Sequence, residues 1–425
     1  MKRVLFILYY FPPMGGSGVQ RPLKFLKYLA QFGWEPIVLC PEHGAYLYMD
    51  NSLNEDLDAM NLKVVRVPNE TPLNSKLASF LSKTTELVKK PLRSISDWIY
   101  IPDNKKRWTL KATEIGEKLI FEDKIDLIFS SGPPFSSHLA AIELGKRTKT
   151  KVVIDYRDAW TNSHLERYPT RWHKKQNILL ENRVAENADA ICAINEPILH
   201  SVTKNGRLNQ LRKVISHGYD HADFERALKL PLDQKLLDAN NIYFIHNGLF
   251  YNERRPDELL EAFATLKRSG TAPKLKLVLQ GGLDGIQKKI IEKWGLQQDV
   301  IDLGYQPHHQ SLRNVMACQA TVLLIGHKKR ADQIVTGKLY EYIGAKKPII
   351  ALVPSGEAKN LLVNYGASYF GNPYDIEQIA NCISACYKQI SSKNVSNINN
   401  QLVNQLRRED QTEKLAMLFN ETILL

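Results

Sequence analysis

The chain has 425 residues, 44% of them hydrophobic and 24% charged, and its formal net charge is +12. This length predicts two or three domains, at roughly 100–200 residues each. The composition is that of a globular protein, and no apolar run reaches the roughly 18 residues that a membrane-spanning helix needs. The positive charge favours anionic partners, but it does not choose among nucleic acid, lipid headgroups and sugar phosphates.

The longest apolar run, residues 4–11, begins just after Lys2 and Arg3. That order resembles a signal peptide, but the run is short for one and no small-residue cleavage site follows it. A buried first strand is the better interpretation, and we expect a cytoplasmic protein. The five cysteines include no C-x-x-C pair, so we expect buried thiols and no structural zinc site.

Short apolar runs alternate with helical patterns along most of the chain. The runs are too short for core helices and lack polar alternation, so they predict parallel strands covered on both faces. The predicted strands are residues 4–8, 37–40, 64–67, 127–130, 152–155, 190–194, 214–216, 243–246, 275–279, 300–303, 321–324 and 349–352. Strand–helix alternation over this length predicts an α/β fold with parallel sheets.

The strands form two series, which predict two doubly wound, Rossmann-like lobes with a central cleft between them. The first series ends near residue 216, and the second starts at residue 243, after a stretch without strand pattern. We therefore predict a first lobe at residues 1–220, a second lobe at 221–400, and a terminal helix at 401–425 that packs back toward the first lobe. In such sheets, ligands bind beyond the carboxyl ends of the strands.

Glycines follow the first predicted strand, in the segment that leads into the first helix. Gly15 and Gly16 let the backbone approach a ligand, and the N-terminus of the helix favours an anion. The glycines at 16 and 18, with Glu42, also resemble the start of a dinucleotide-binding fingerprint, although Arg21 occupies the third glycine position. A tight turn between strand and helix is the structural alternative.

Charged side chains follow the predicted strand at 152–155. Arg157 and Asp158 are expected at the edge of the sheet, where either could orient a hydroxyl or a phosphate. A structural ion pair between the two is the alternative. His138 opens the helix after the preceding strand and is a candidate base, with a structural role at the helix terminus as its alternative. These three residues are the catalytic candidates.

The second lobe carries a basic set of residues near two helix starts. Arg254 leads into one helix, and Gly337 and Lys338 begin another. A lysine, an arginine and a helix N-terminus that converge on one point would neutralise a diphosphate leaving group. Glu341 shares a helix face with Lys338 and could accept hydrogen bonds from ribose hydroxyls. A surface ion pair between Lys338 and Glu341 is the alternative.

Several segments together resemble family 4 of the glycosyltransferases, which have the GT-B fold. They include YFPPMGG at 10–16, FGWEP at 32–36, DYRDAW at 155–160, VISHGYD at 214–220, LGYQPH at 303–308, KLYEY at 338–342 and KPII at 347–350. Each segment is degenerate, but their order and spacing together are specific. The resemblance implies a retaining transfer from a nucleoside-diphosphate sugar, which is a co-substrate, with no cofactor and no required metal.

The resemblance also implies roles for particular residues. It places Arg254 and Lys338 on the donor diphosphate and Glu341 on the ribose. Gly15 and Gly16 would face the donor or the acceptor. The first lobe would hold the acceptor and the second lobe the donor nucleotide.

One position departs from the family pattern. Many members carry two glutamates eight residues apart, and Glu341 matches the second. The first position is Gln333, whose amide can hydrogen-bond sugar hydroxyls but bears no charge. Glu357 lies in the loop after the next strand and is a further donor-binding candidate. The Asp-Leu-Asp sequence at 56–58 resembles a metal-binding motif of a different fold, and we interpret it as chance.

The resemblance implies a glycan or lipid-linked acceptor and a role in surface polysaccharide assembly. Residues 76–118 contain ten Lys or Arg and five Asp or Glu, interleaved with aromatic residues. This predicts either peripheral contact with an anionic membrane or a solvated helical face, and we expect no nucleic-acid partner. The alternatives to the transferase are a nucleotide-sugar epimerase of the same architecture, an NAD-dependent oxidoreductase and a non-catalytic binding protein.

Overall fold

The structure is a computed structural model that describes residues 1–15, 17–42, 50, 52–68, 96–164, 168–248, 250, 256–394 and 397–425. The chain divides into two units. Met1–His217 and Arg408–Leu425 form the first unit, and Gly218–Arg407 form the second. The division between the units thus falls at 217/218 and 407/408, where the sequence predicted boundaries at 220 and 400.

A seven-stranded parallel sheet in the order β3-β2-β1-β4-β5-β6-β7 forms the centre of the first unit. Its strands are β1 (Lys2–Ile7), β2 (Trp34–Pro41), β3 (Lys63–Val67), β4 (Leu127–Gly132), β5 (Lys151–Tyr156), β6 (Ala190–Ala193) and β7 (Leu211–Val214). Its described helices before β7 are α1 (Ser17–Leu29), α2 (Ser52–Asp58), α3 (Lys106–Glu122), α4 (Ser136–Thr148), α5 (Arg171–Asn187) and α6 (Glu196–Thr203). The middle strands are buried on both faces, which explains their continuous apolar runs.

The second unit has a six-stranded parallel sheet in the order β10-β9-β8-β11-β12-β13. Its strands are β8 (Ile242–Asn247), β9 (Leu275–Gln280), β10 (Val300–Gly304), β11 (Ala320–Leu324), β12 (Ile349–Leu352) and β13 (Ser368–Gly371). Its described helices are α7 (His221–Leu228), α8 (Asp257–Arg268), α9 (Gly285–Lys293), α10 (His308–Ala317), α11 (Gly337–Gly344), α12 (Glu357–Tyr365), α13 (Ile376–Ser391) and α14 (Asn400–Gln405). Apolar clusters lie on both faces of this sheet.

The end of the chain differs from the single terminal helix that the sequence predicts. Helix α14 belongs to the second unit, whereas α15 (Arg408–Thr422) belongs to the first. Helix α15 is held there by aromatic packing, because the ring of Phe419 lies 5.2 Å from that of Trp34 and 5.5 Å from that of Phe129. None of the described helices is long and apolar enough to cross a membrane.

Two strand predictions were also inaccurate. The strand predicted at 214–216 is β7 at Leu211–Val214, and the carbonyls of Ile215 and Ser216 instead accept hydrogen bonds from the Arg21 guanidinium. Strand β13 was missed because it is an edge strand of four residues, three of them half-buried, so it lacks the apolar run on which the prediction depended. The other predicted strands coincide with observed ones to within three residues at each end, the largest difference being at the start of β2.

Candidate functional site

Glycines with positive φ lie at the carboxyl ends of three neighbouring strands of the second unit. Gly248 follows β8 with φ 139°, Gly281 follows β9 with φ 138°, and Gly304 ends β10 with φ 63°. L-residues with a side chain rarely adopt such angles, so glycine is favoured at each position. The missing side chains leave the backbone open to close approach by a ligand at the edge where parallel α/β sheets bind theirs.

Lys338 reaches this edge from the first turn of α11. A Cβ atom at position 248 would overlap the Lys338 ammonium nitrogen, so Gly248 is what gives the lysine its place beyond β8. Thr336 is the N-cap residue of this helix, but its side chain makes no capping hydrogen bond. Its Oγ1 is buried and has no hydrogen-bond partner among the described residues. A lysine, a helix N-terminus and an unsatisfied hydroxyl together favour an anion at this point.

Glu341 lies one turn further along α11, and a histidine from another helix holds it. The Nε2 atom of His308, the first residue of α10, lies 2.9 Å from Glu341 Oε1. Both side chains keep about a fifth of their surface exposed, at 20% for His308 and 23% for Glu341. The carboxylate is therefore fixed in direction while it remains within reach of a ligand hydroxyl. His308 is the last residue of a segment that carries the family resemblance, but no local pattern pairs it with Glu341.

Asp223 extends this cluster on the far side of His308. Its carboxylate lies 4.0 Å from His308 Nδ1 and 3.6 Å from Nε2 of His309. One ligand atom from each of these three residues lies within 4.8 Å of the others, which is a set that could hold a divalent cation. The family resemblance implied no required metal, and no sequence pattern brings these three residues together.

A polar network connects α11 to the ends of β8 and β9. The backbone amide of Asn247 donates to the Tyr342 hydroxyl at 2.8 Å, and burial raises the pKa of that hydroxyl. The Gln280 amide donates to Ser311 Oγ at 2.8 Å and accepts from Asn314 Nδ2 at 2.7 Å. Tyr342 lies on α11, whereas Ser311 and Asn314 lie on α10, so these bonds hold both helices against the strand ends.

Of the remaining donor-site candidates, the structure describes Gln333 and Glu357. Gln333 ends a 3-10 turn at Ala331–Gln333 and is half-buried. Glu357 is the first residue of α12, and the preceding Gly356 packs so closely on the Asp332 backbone that a Cβ atom there would collide with it. This contact brings the start of α12 beside the turn that contains Gln333. Arg254 and Gly16 lie outside the described residues.

In the first unit, the central polar feature is a buried ion pair that joins α1 to β5. Arg21 donates to both carboxylate oxygens of Asp155, at 2.8 and 3.0 Å, and both side chains have no exposed surface. Burial alone would raise the pKa of Asp155, but the charge and hydrogen bonds of Arg21 and the Ser131 hydroxyl outweigh it and leave the pKa below its ordinary value. The sequence placed Arg21 at a missing glycine position, and no local signal identified its partner.

Arg157, which lies near this pair, donates hydrogen bonds to backbone carbonyls and does not bond to Asp158. Its guanidinium donates to the carbonyl of Gly18 at 2.6 Å and to that of Pro133, and only 6% of the residue is exposed. Burial raises the pKa of the half-buried Asp158 to about 6, although the positive charge of Arg157 opposes the shift. Gly15 is buried. The structure thus places Arg157 between the glycine-rich turn and the end of β4.

His138 is the third residue of α4 and is buried. Its Nδ1 atom lies 3.0 Å from Ser130 Oγ, its ring packs 4.9 Å from that of Tyr156, and it has no exposed surface. Burial lowers its pKa to about 3, so the imidazole is neutral at physiological pH. Gly132 lies against the ring, where a Cβ atom would overlap it.

Residues 232–401 match the family model described as "Glycosyl transferases group 1". The match contains Gly248, Lys338, Glu341 and His308, whereas Asp223 lies before its first residue. This match covers most of the second unit. The enzyme class that the sequence predicted, a glycosyltransferase, is thereby confirmed, whereas the finer assignment to family 4 and to a retaining reaction is not tested. No curated protein matches the chain significantly in sequence.

Solved structures show the same fold at low sequence identity. A glycosyltransferase from Rickettsia africae ESF-5 is 15% identical, with a TM-score of 0.65, and the alignment covers 99% of this chain and 98% of that one. Sucrose-phosphate synthase from Thermosynechococcus elongatus is 15% identical, with a TM-score of 0.62 and full coverage of both chains. Anabaena HepE in complex with UDP is 16% identical, with a TM-score of 0.59, and the alignment covers 100% of this chain and 98% of that one. The predicted fold class, an α/β fold of the GT-B type with two parallel sheets, is confirmed.

Proposed function

We propose that this glycosyltransferase moves a sugar from a nucleoside-diphosphate sugar to a glycan or lipid-linked acceptor. The observation that carries the proposal is the position of Lys338 at the N-terminus of α11, directly against Gly248. A cation and a helix N-terminus at an open strand end are suited to a diphosphate, which is the leaving group of such a reaction.

The proposed reaction breaks the bond between the anomeric carbon of the sugar and the diphosphate oxygen. The bonding electrons leave with the nucleoside diphosphate, and an acceptor oxygen, which loses its proton, forms the new bond to the same carbon. Negative charge therefore develops on the diphosphate in the transition state. Lys338 and the α11 N-terminus would stabilise that charge more strongly than they stabilise the bound donor, which is the condition for catalysis. Retention of the anomeric configuration is proposed from the family resemblance.

Glu341 is proposed to accept hydrogen bonds from the ribose of the donor. The hydrogen bond with His308 occupies one carboxylate oxygen of Glu341 and fixes the direction of the other. Glu341 therefore need not lose much rotamer freedom when the nucleotide binds. Arg254, Gln333, Gly337 and Glu357 complete the proposed donor set. HepE was solved with UDP, which makes a uridine donor the first to test.

The first unit is proposed to bind the acceptor. Asp158 is its best candidate for proton transfer, because its pKa of about 6 allows it to exchange a proton near neutral pH. Arg157 is proposed to hold the start of α1 in place through the Gly18 carbonyl. His138 is proposed as a positioning residue, because a side chain without exposed surface cannot contact the acceptor. We further propose a role in surface polysaccharide assembly at the cytoplasmic face of the membrane, without a nucleic-acid partner and without a metal or other cofactor.

A thermal-shift screen against UDP, GDP, ADP, CMP, dTDP and NADH tests the donor proposal. One selective diphosphate should raise the melting temperature of the wild type, because a ligand that binds only the folded state stabilises it. Lys338→Ala should lose that shift, whereas Lys288→Ala, on an exposed position of α9, should keep it. Stabilisation by NADH alone would instead support an oxidoreductase.

Product analysis then separates the transferase from the epimerase. Incubation with the donor that stabilises the protein should release free nucleoside diphosphate and form a glycosylated acceptor. An isomerised nucleotide sugar in the absence of any acceptor would support the epimerase. Binding without turnover of any donor would support a binding protein.

A further inference from the structure

Over its first three turns, helix α5 in the first unit has polar side chains on its inner face, whereas Val184 and Ala185 are buried near its end. His173, Asn177 and Glu181 are each at most 6% exposed, although they occupy the inner face of a helix that covers the sheet. Each is satisfied there. Asn177 accepts from Trp160 Nε1 at 2.9 Å, and Glu181 accepts from the Thr161 hydroxyl. Burial raises the pKa of Glu181, although the bonds from Thr161 oppose the shift.

The outer face of the same helix carries large apolar side chains instead. Trp172 is 58% exposed and Leu179 is 51% exposed, and they lie seven residues apart, so they share one stripe of the helix. Ile178 beside them is 36% exposed. A surface helix of a globular protein normally has the reverse pattern, with apolar residues inward and polar residues outward. Among the described residues, the apolar outer stripe thus leaves a large part of its side-chain surface exposed.

A second exposed tryptophan lies beside the first, although 74 positions separate them in the sequence. The His173 Nε2–H donates to the Trp98 carbonyl at 3.2 Å, and the rings of Trp98 and His173 are 5.5 Å apart. The Trp172 ring lies 5.0 Å from the same imidazole. Trp98 is 57% exposed and the following Ile99 is 65% exposed. We call Trp98, Ile99, Trp172, Ile178 and Leu179 the aromatic patch.

Positive charge surrounds the aromatic patch. The first ten residues of α5 contain Arg171, Lys174 and Lys175 and no acidic residue, and both Arg171 and Lys175 are exposed. The helical residues 96–99 include one acidic residue, Asp97. The surroundings of the patch therefore complement an anionic partner.

We propose that the aromatic patch docks the first unit onto an anionic phospholipid bilayer. Tryptophan is suited to the boundary between headgroups and acyl chains, since it presents a large apolar ring and one polar N–H group. Ile99, Ile178 and Leu179 would enter the apolar layer, a contact that a nucleic-acid backbone does not offer. Arg171 and Lys175 would contact the lipid phosphates. Neither the exposed apolar area of the patch nor the basic residues beside it would be sufficient for stable membrane binding alone. The patch and its surroundings supply both.

Vesicle flotation with purified full-length protein tests this proposal without any need for sugar transfer. Wild-type protein should float with vesicles of equal parts phosphatidylcholine and phosphatidylglycerol, and less with phosphatidylcholine alone. Replacement of both Trp98 and Trp172 by Ala should lower the bound fraction about ten-fold. Phe121→Ala is the matched control, because Phe121 is 65% exposed at the end of α3, beside the amino ends of the strands, whereas α5 begins beyond their carboxyl ends. This variant should bind as the wild type does.

A charge-reversal pair keeps the proposal testable if the tryptophan variant fails to fold. Arg171→Glu with Lys175→Glu changes only exposed positions and should weaken binding at low salt by more than the roughly five-fold expected for each lost charge. Lys288→Glu with Lys289→Glu, on an exposed part of α9 in the second unit, should have no such effect. Equal flotation of both pairs would overturn the proposal. So would a wild-type dimer that the tryptophan variant converts to a monomer, since the patch would then be an interface between copies of this chain.

Discussion

Substitution of Gly248 by alanine tests the position of Lys338 most directly. The new Cβ atom would overlap the Lys338 ammonium, so the lysine must move away from the end of β8. A charge-assisted hydrogen bond contributes about 1.5–3 kcal/mol. If the displaced ammonium no longer contacts the diphosphate, the affinity for the donor nucleotide should fall about ten- to a hundred-fold.

The same substitution also strains the backbone, and this effect needs its own control. A residue with a side chain at φ 139° costs about 1–3 kcal/mol. In a unit of about 190 residues, each kcal/mol lowers the melting temperature by about 2–4 °C. Gly270→Ala provides the control, because Gly270 has φ 69° and no atom within 4 Å of an added Cβ. It should lower the melting temperature by a few degrees and leave nucleotide affinity unchanged.

Isothermal titration with the nucleotide that stabilises the wild type would measure both variants. A large loss of affinity in Gly248→Ala, with little loss in Gly270→Ala, is the expected result. Wild-type affinity in a folded Gly248→Ala variant would refute the reasoning, because it would mean that Lys338 does not bind the diphosphate from this position.

Three further predictions follow from the polar contacts. His308→Ala should weaken nucleotide binding about three- to ten-fold in titration, because Glu341 loses the bond that directs it, while the exposed His327→Ala should not. Arg21→Met should lower the melting temperature by about 10 °C, because removal of one partner leaves the Asp155 carboxylate buried and uncompensated. The third prediction concerns pH. In the wild type the pKa of Asp155 lies below its ordinary value of 3.8, so the ionised carboxylate stabilises the fold above pH 3.8, and this stabilisation is lost as the pH falls further. In Arg21→Met the buried carboxylate is uncompensated, so protonation of Asp155 becomes favourable. The difference in melting temperature between the two proteins should therefore narrow from pH 7 to pH 4, and a constant difference would contradict this account.

The sequence located most strands because a fully buried parallel strand needs only an unbroken apolar run. Edge strand β13 lacked that run, and β7 was displaced because polar residues Arg212 and Lys213 lie within it. The proximity of Lys338 to Glu341 was also predictable, since it depends only on the period of one helix. The overlap between Gly248 and Lys338 was not, because it depends on how α11 packs beside β8.

The sequence by itself determined the α/β class, the two series of strands and the residues of α11 that face the strand ends. These properties depend on local periodicity and on the order of segments, and both can be read along the chain. The tertiary structure decided which side chains meet across distant segments: His308 with Glu341, Arg21 with Asp155, and Trp98 with Trp172 through His173. It also decided that α5 buries its polar face, because buried partners such as Trp160 and Thr161 satisfy that face. Such pairings depend on the packing of complete elements, which no local pattern specifies.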